Sequence, residues 1–585
     1  MNQSRNRSRR RRFPTTFEQL EARRVLATYL VDTLADSATG SCVVGSGSCS
    51  LRVALDLAAT SSESNRIEIP GGTYLIDSAL GTLSYSSTND LELVGTNANT
   101  NVAVIDAQKQ MRIFDFELPS SDRFASGETS AGRMIRLENL TLQNAGVGGT
   151  DGLGPAEATG GGAISSSGFD LTLQQMTLRD NVARGGNASA IGVLGGNLSI
   201  NNSVILDNMQ PDGEAAIELY GHELSISLTT FQGNTYGVST YDSAVDIVDT
   251  VFDGNVGAAF QASNGTTSPP FPSITILRSS FINGVQHPDG GTSGLDLGTV
   301  DFLLENVTVS GNTSDKGAIN FALDEYGGSA NGIIRNSTIA ENVHANNDQA
   351  SGEVGMLGSD ITGYGGSVSI ESSIFTGTCQ LDSSPTSLGN NLDAQGTCGL
   401  IEPSDLSNVD PMLGPLQDNG GPVPTHALLT GSPAIDAAAT SSPITDARGV
   451  FRPQDGDGDL FAEPDIGAFE LEPGVQFLFF ENDIEVNESD GTATFRITLD
   501  SDALNPFDVD VFTIGDGPYS MNEMTLSFDG FAGETKEYTV TFNNDSIVED
   551  DESLTIVMSN PTDPNVDASA TATLTIRDDD TATLT

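Results

Sequence analysis

Apolar and polar residues alternate in short runs along the middle of the chain, and the runs recur. Residues 171–181 read LTLQQMTLRDN, 198–208 LSINNSVILDN, 224–234 LSISLTTFQGN and 245–255 VDIVDTVFDGN. The series continues at 274–284 (ITILRSSFING), 302–312 (FLLENVTVSGN) and 332–342 (GIIRNSTIAEN); it opens with 137–144 (LENLTLQN) and closes with 368–378 (VSIESSIFTGT). Alternation with period two predicts half-buried strands, and no helical period runs through these positions. Unit starts lie 21 to 36 residues apart. A period in this range marks stacked supersecondary units and not one compact globule.

One such strand cannot bury its apolar face alone. Stacking successive units in register pairs every backbone group with the coil above and below. The closing Asn suits a tight corner, because Asn tolerates left-handed dihedrals, and stacked Asn amides can bond one another along the axis. Glycines at 160–162 and 195–196 suit the corners between faces. The predicted fold is therefore all-β: a right-handed parallel β-helix over residues 29–388, with the apolar runs at 66–76, 91–94 and 102–105 as less regular first coils. A β-propeller needs longer periods, about 40 residues, and Trp-Asp or Gly-His signatures, which are missing here. The Ser/Thr/Asn/Gly-rich spacers resemble those of secreted β-helices of the pectin-lyase-like class.

Charge narrows the partners. With 25 basic and 80 acidic residues the formal net charge is −55, and eight of the basic residues lie within the first 24 positions. That balance argues against nucleic acid or an anionic membrane as partner and is compatible with divalent cations. Cys42 and Cys49 lie close in sequence, as do Cys379 and Cys398. Two local pairs suggest two disulfides in an oxidising compartment, with buried free thiols as the alternative. No run of 18 apolar residues is present, so no membrane span is expected. Residues 1–28 form a basic segment that fits plain signal-peptide rules poorly. Within it, FEQLEARRVLA at 17–27 resembles the N-terminal motif of surface and secreted proteins from planctomycete bacteria, which implies export.

A solenoid exposes its core at both ends and needs caps. Residues 49–59 read as a short amphipathic helix, with Ser50 as N-cap and Leu51, Ala54, Leu55 and Ala58 on one face. The CSLRVAL run resembles the cap of bacterial extracellular β-helices, with Val53 in place of the usual Glu. Residues 389–473 carry GNNL, DPMLGPLQDNGGPVPTHALL, GSPAID and DARGVFRPQDGDGDLFAEPDIGAFE in the order found in the choice-of-anchor Q domain. The resemblance implies a C-terminal closure of the β-helix and a surface location. His426 lies in this stretch and reads as structural. Asp455, Asp457 and Asp459 alternate with Gly456 and Gly458, a spacing able to converge on a hard cation, although Ile466 stands where an EF-hand has its bidentate Glu.

From residue 474 to 585 the strands become evenly spaced with turn residues between them, which predicts an immunoglobulin-like sandwich of about seven strands. FFEND at 479–483, VNESDGTATF at 486–495, GETKEYTVTF at 533–542, NNDSIVEDDESL at 543–554 and SATATLTIRDDD at 569–580 are similar to a Calx-beta domain. That resemblance implies calcium held at one tip by Glu481, by Asp545, Glu549 and Glu552, and by Asp578, Asp579 and Asp580. Asn544 and Pro518 replace acidic residues of the family pattern, which implies fewer ions or weaker binding.

Catalytic signals are sparse. Between Arg66 and Thr378 only 11 residues are basic, and they are scattered. A lyase acting on acidic sugars needs a base and cations to neutralise the substrate. The chain has no Trp, leaving Tyr220, Tyr236 and Tyr241 for sugar stacking. Asp324, Glu325 and Tyr326 interrupt the repeat and offer the best local pair of carboxylates; His222, His287 and His344 have no recognisable partner pattern. The expectation is an exported cell-surface or extracellular adhesion protein that contacts glycans or cell-surface components. The alternative is a carbohydrate-active β-helix enzyme.

Overall fold

The computed structural model describes residues 26–580, except 44, 97–100, 120–131, 148–159, 186–187, 210–212, 266–269, 322–329, 346–358, 364–366, 382–383, 457–460, 473–475, 502, 504–505, 516–522, 545, 549–550 and 564–565. The export-type motif and Asp324, Glu325 and Tyr326 lie almost wholly or wholly outside them.

Three parallel sheets wind up the repeats. Among the described residues, sheet A has thirteen strands from Ala27–Leu30 to Thr386–Gly389. Sheet B has thirteen from Gly72–Leu75 to Leu406–Ser407, and sheet C eleven from Leu83–Tyr85 to Thr378–Leu381. A typical coil runs C, A, B: Ile191–Leu194, Leu198–Asn201, Val204–Leu206. Neighbouring coils pair in register, with Ile191 opposite Ile217, Leu198 opposite Leu224 and Ile205 opposite Phe231. This is a parallel β-helix, as the repeat predicts. The recognisable unit supplies strands A and B. Strand C comes from the spacers: Gly192 lies inside Ile191–Leu194, whereas Gly195, at φ 72°, does turn a corner.

Alternation decides burial. Leu198, Ile200, Ile205, Ile191 and Val193 point inward and join one continuous core. Identical rungs stack like side chains: Phe231, Phe252 and Phe281 lie face to face at 4.5 and 4.7 Å. All three corners of a coil use left-handed backbone. One lies between strands C and A (Gly168, Gly195, Gly221, Asp242), one between strands A and B (Asn202, Leu228, Asp249, Arg278, Asn306) and one follows strand B (Asp180, Asp207, Gly233, Gly254, Asn283). At the corner after strand B the expectation for the closing Asn holds for Asn144 (φ 53°) and is corrected for Asn181, Asn208, Asn234, Asn255, Asn312 and Asn342, where the left-handed residue is the one before it.

The Asn instead forms a buried ladder. Asn181 donates its amide to Asn208 at 2.8 Å, Asn208 to Asn234 at 2.9 Å and Asn234 to Asn255 at 3.0 Å. Gly284 interrupts it, since a side chain there would collide with the Ser293 carbonyl. The ladder resumes from Asn312 to Asn342 at 3.1 Å and ends on Asp360 at 2.9 Å.

The helix Leu51–Thr60 caps the first coil as expected, with the Ser50 hydroxyl accepting from the Val53 N–H at 3.2 Å and Leu51, Ala54, Leu55 and Ala58 buried. Arg52 holds it in place through Asp36 and the Gly81 and Thr82 carbonyls. Cys42 is bonded to Cys49, and Cys379 to Cys398.

The far end differs from expectation. Cys398 and Leu400 join the main core and close it. Much of the segment from Asp410 to Leu471, expected as the closure, lies along the outside of sheet B. Ser280 Oγ donates to the Pro424 carbonyl at 2.7 Å, Asn306 Nδ2 to the Thr445 carbonyl at 2.8 Å, and the Ala468 N–H to Thr338 Oγ1 at 3.1 Å. The reason is local: the outward residues of these later coils include Ile282, Ala340 and Ile374, all buried, whereas Arg179 and Gln232 on the earlier coils are exposed.

The C-terminal sandwich has a four-stranded sheet, ordered Thr535–Thr541, Thr492–Leu499, Gln476–Phe480, Val566–Asp567. The facing five-stranded sheet is ordered Ile484–Asn487, Thr571–Arg577, Glu552–Ser559, Phe507–Ile514, Met524–Phe528. Phe495, Ile497, Val509, Tyr538, Ile556 and Leu574 fill the space between them. Phe477 leaves this core and packs edge-on against Phe469 of the flank segment, 5.6 Å between rings.

Candidate metal centre

Strand register assembles an acidic tip on the sandwich. Ile484–Asn487 runs parallel to Thr571–Arg577, with Asn487 opposite Arg577. The residues that follow each strand therefore emerge side by side: the turn Glu488–Asp490 on one and Asp578–Asp580 on the other. Carboxylate oxygens of Glu488, Asp578 and Asp580 all lie within 4.8 Å of one another, each residue half-buried. Glu552 is paired opposite Ile576, at the same end. Burial and the charge of Glu488 raise its carboxyl above the usual range. Backbone and hydroxyl donors fix the loops: the Asp580 N–H donates to Asp578 Oδ1 at 2.9 Å, the Asn487 N–H to Asp490 Oδ2 at 2.9 Å, and the Ser489 hydroxyl to Asp579.

Crowding like charges at one edge is unfavourable unless a cation lies among them. The donors are all hard oxygens, and three carboxylates binding in one- or two-oxygen fashion supply about three to six ligands, in the range a calcium ion uses with carbonyls or water completing the shell. The residues present fit such an ion.

Of the expected ligands, Asp578 and Asp580 are brought together, Glu552 is adjacent, and Asp579 bonds Ser489 instead. Asp545 and Glu549 lie outside the described residues, as do Pro518, Asp457 and Asp459. Glu481 is a correction. It sits where the chain crosses from one sheet to the other, its N–H bonded to the Arg496 carbonyl at 3.1 Å and its carboxylate facing Arg496 at 4.0 Å. Arg496 is four residues along its strand from Thr492, so Glu481 is roughly 13 Å from the tip. Glu488 takes its place. It stands in the VNESDG run, but only the pairing of two strands 90 residues apart shows that it meets the closing Asp triplet.

His426 is structural, as expected. Its Nε2 bonds Ser310 Oγ and its Nδ1 the Gly414 carbonyl, both at 2.8 Å, and burial lowers its pKa. In the same flank segment, Arg452 is buried against Glu470 at 2.9 Å, and Arg448 pairs with Asp446 at 2.8 Å while lying over the Phe469 ring.

Residues 472–580 match the Calx-beta domain family. Similar solved structures include an apo-form Calx CBD1 domain (22% identity, 18% of this chain and 99% of that one, TM-score 0.17). A calcium binding domain CBD12 of CALX1.1 also matches (25% identity, 18% and 44%, TM-score 0.16), as does a Calx CBD2 domain (17% identity, 18% and 86%, TM-score 0.16). No curated protein matches the chain. The class is thus an all-β chain, a parallel β-helix carrying a C-terminal Calx-beta module; at such low TM-scores the family match alone assigns the module.

Proposed function

We propose that the protein is exported and serves as a cell-surface or extracellular structural and adhesion protein, its β-helix presenting loops to glycans or other surface components and its sandwich holding calcium at one tip. The observation that carries the calcium reading is the convergence of Glu488, Asp578 and Asp580 within a Calx-beta match. Calcium bound there would tie the 488–490 turn to the end of the closing strand and stiffen the tip. Export is supported by two disulfides, which persist in oxidising compartments. A surface location is supported by the choice-of-anchor Q-like order of motifs across 389–473, and a net charge of −55 disfavours anionic partners.

Calorimetric titration of the full chain with calcium tests the metal claim. Heat of binding is expected, together with a rise in the melting temperature of one transition; Glu488→Gln weakens both, whereas Glu481→Gln leaves them in place. Absence of binding heat and of any melting shift would refute it.

A further inference from the structure

All four cysteines lie at the two ends of the solenoid, and none occurs between Cys49 and Cys379. The Cys42–Cys49 bond belongs to the segment that follows the first strand of sheet A, Ala27–Leu30. Cys379, bonded to Cys398, lies in the last strand of sheet C, Thr378–Leu381. At these places a coil has a neighbour on one side only, and a stack of coils frays there first.

At the first end the cross-link closes the loop that holds the capping helix. Cys49 is fully buried in the main core and stands directly before the N-cap Ser50. Its N–H donates to Asp32 Oδ1 at 2.7 Å, and its carbonyl accepts from the Asp32 N–H at 3.0 Å. From the same loop the Ser37 carbonyl accepts from Ser50 Oγ at 2.8 Å, and Asp36 holds Arg52. At the last end Cys398 and Leu400 close the core, and the Cys398 N–H donates to Asp393 Oδ2 at 2.7 Å. Gly377, two residues before Cys379, donates its N–H at 2.6 Å to Asp360, where the Asn ladder stops. In each pair one cysteine is buried, and its partner, Cys42 or Cys379, is partly exposed, which leaves one side of the bond open to a dissolved thiol.

We infer that the two disulfides are redox-sensitive latches: the solenoid is closed at both ends only when oxidised, and reduction opens it from its ends while the middle coils and the sandwich stay folded. The latches confine loops whose ends are 7 and 19 residues apart. Breaking a latch returns that loop's freedom to the opened end and raises the opened fraction. The middle coils have neighbours on both sides and the Asn ladder from Asn181 to Asn255, and neither depends on cysteine. The chemistry is thiol–disulfide exchange with a dithiol. One thiolate of dithiothreitol attacks a cystine sulfur and displaces the other as a thiolate. The reagent's second thiol then releases the attacked sulfur, so two protein thiols form and dithiothreitol is oxidised to its cyclic disulfide.

Amide hydrogen exchange of the full chain by mass spectrometry, with and without dithiothreitol, is the test, with alkylation counting the thiols released. All four cysteines should be alkylated after reduction. Protection should fall about tenfold or more in peptides covering 27–60 and 370–400. It should change less than about twofold in peptides covering 198–255 and 492–499. The double variant Cys42→Ala, Cys49→Ala should open only 27–60 without reductant, and Cys379→Ala, Cys398→Ala only 370–400. Where a double variant fails to fold, reduction of the unaltered chain decides. Equal loss of protection in the middle coils overturns the inference, because the rod then unfolds as one unit. Ends that stay protected with all four thiols alkylated overturn it too, and so does resistance of both disulfides to the reductant.

Discussion

Replacing Asn234 by Ala removes one step from the middle of the buried Asn ladder. The side chain is fully buried and makes four hydrogen bonds. It donates to the Ile205 carbonyl at 2.8 Å and to Asn255 Oδ1 at 3.0 Å. It accepts from the Asn208 N–H at 3.0 Å and the Asn208 amide at 2.9 Å. Asn255 Oδ1 keeps the Asn234 backbone N–H, so its loss is partial. The Ile205 carbonyl keeps its place in the strand ladder, whereas two Asn208 N–H groups lose a partner outright. At about 1 kcal/mol net per bond, and more where a group stays dry, the expected cost is about 3–5 kcal/mol. Water entering the vacated space would bring it toward the lower figure. A solenoid opens locally, so the measurement is amide hydrogen exchange by mass spectrometry over peptides covering 198–260, with Ser199→Ala on the outer face of sheet A as control. Protection in those peptides should fall at least a hundredfold and stay near wild type around the helix Leu51–Thr60. A fall of less than about fivefold, corresponding to under about 1 kcal/mol, would refute the claim that the ladder holds the coils together.

Leu228 occupies a left-handed corner (φ 49°) and is 52% exposed, where the equivalent positions of neighbouring coils carry Asn202 and Asp249. Leu228→Asn should stabilise the chain by about 1 kcal/mol in thermal denaturation, and a lower melting temperature would contradict the strain argument. Asp360, at the ladder's end, is fully buried; burial pushes its pKa up to about 7, against hydrogen bonds from Asn342 and Gly377 that favour the anion. Unfolded, it titrates near 4, so between about pH 4 and pH 7 the folded chain keeps a proton that the unfolded chain has lost. Its contribution to stability therefore falls as pH rises through that window and is level above it, by at most about 4 kcal/mol. The melting temperature of Asp360→Asn relative to wild type should improve from about pH 4 to about pH 8; a constant difference would show that Asp360 does not titrate there.

Much of this protein is written in its periodicity. Alternation at every second residue, repeated at intervals of 21 to 36, suffices to stack strands, because only an in-register pile of coils buries those faces and pairs those backbones. The Asn that closes most of the units announced the ladder, and the CSLRVAL run its cap, since both depend on neighbours a few residues away or one repeat away. Strand C stayed hidden because its sequences, ISSS and IGVL among them, have little alternation of their own and take their shape from the coils on either side.

Tertiary structure alone decided where distant segments meet. The segment after residue 409 reads as the end of the solenoid, yet it covers a flank, because the surface it must bury is the outer side of sheet B and not the last coil. Glu481 and Glu488 are equally plausible as letters; pairing of Asn487 with Arg577 brings one to the acidic tip and leaves the other beside Arg496. Glu218 has no local mark of burial. Alternation assigns it an outward position between Ile217 and Leu219, and only the fold decides that this outward side chain is buried.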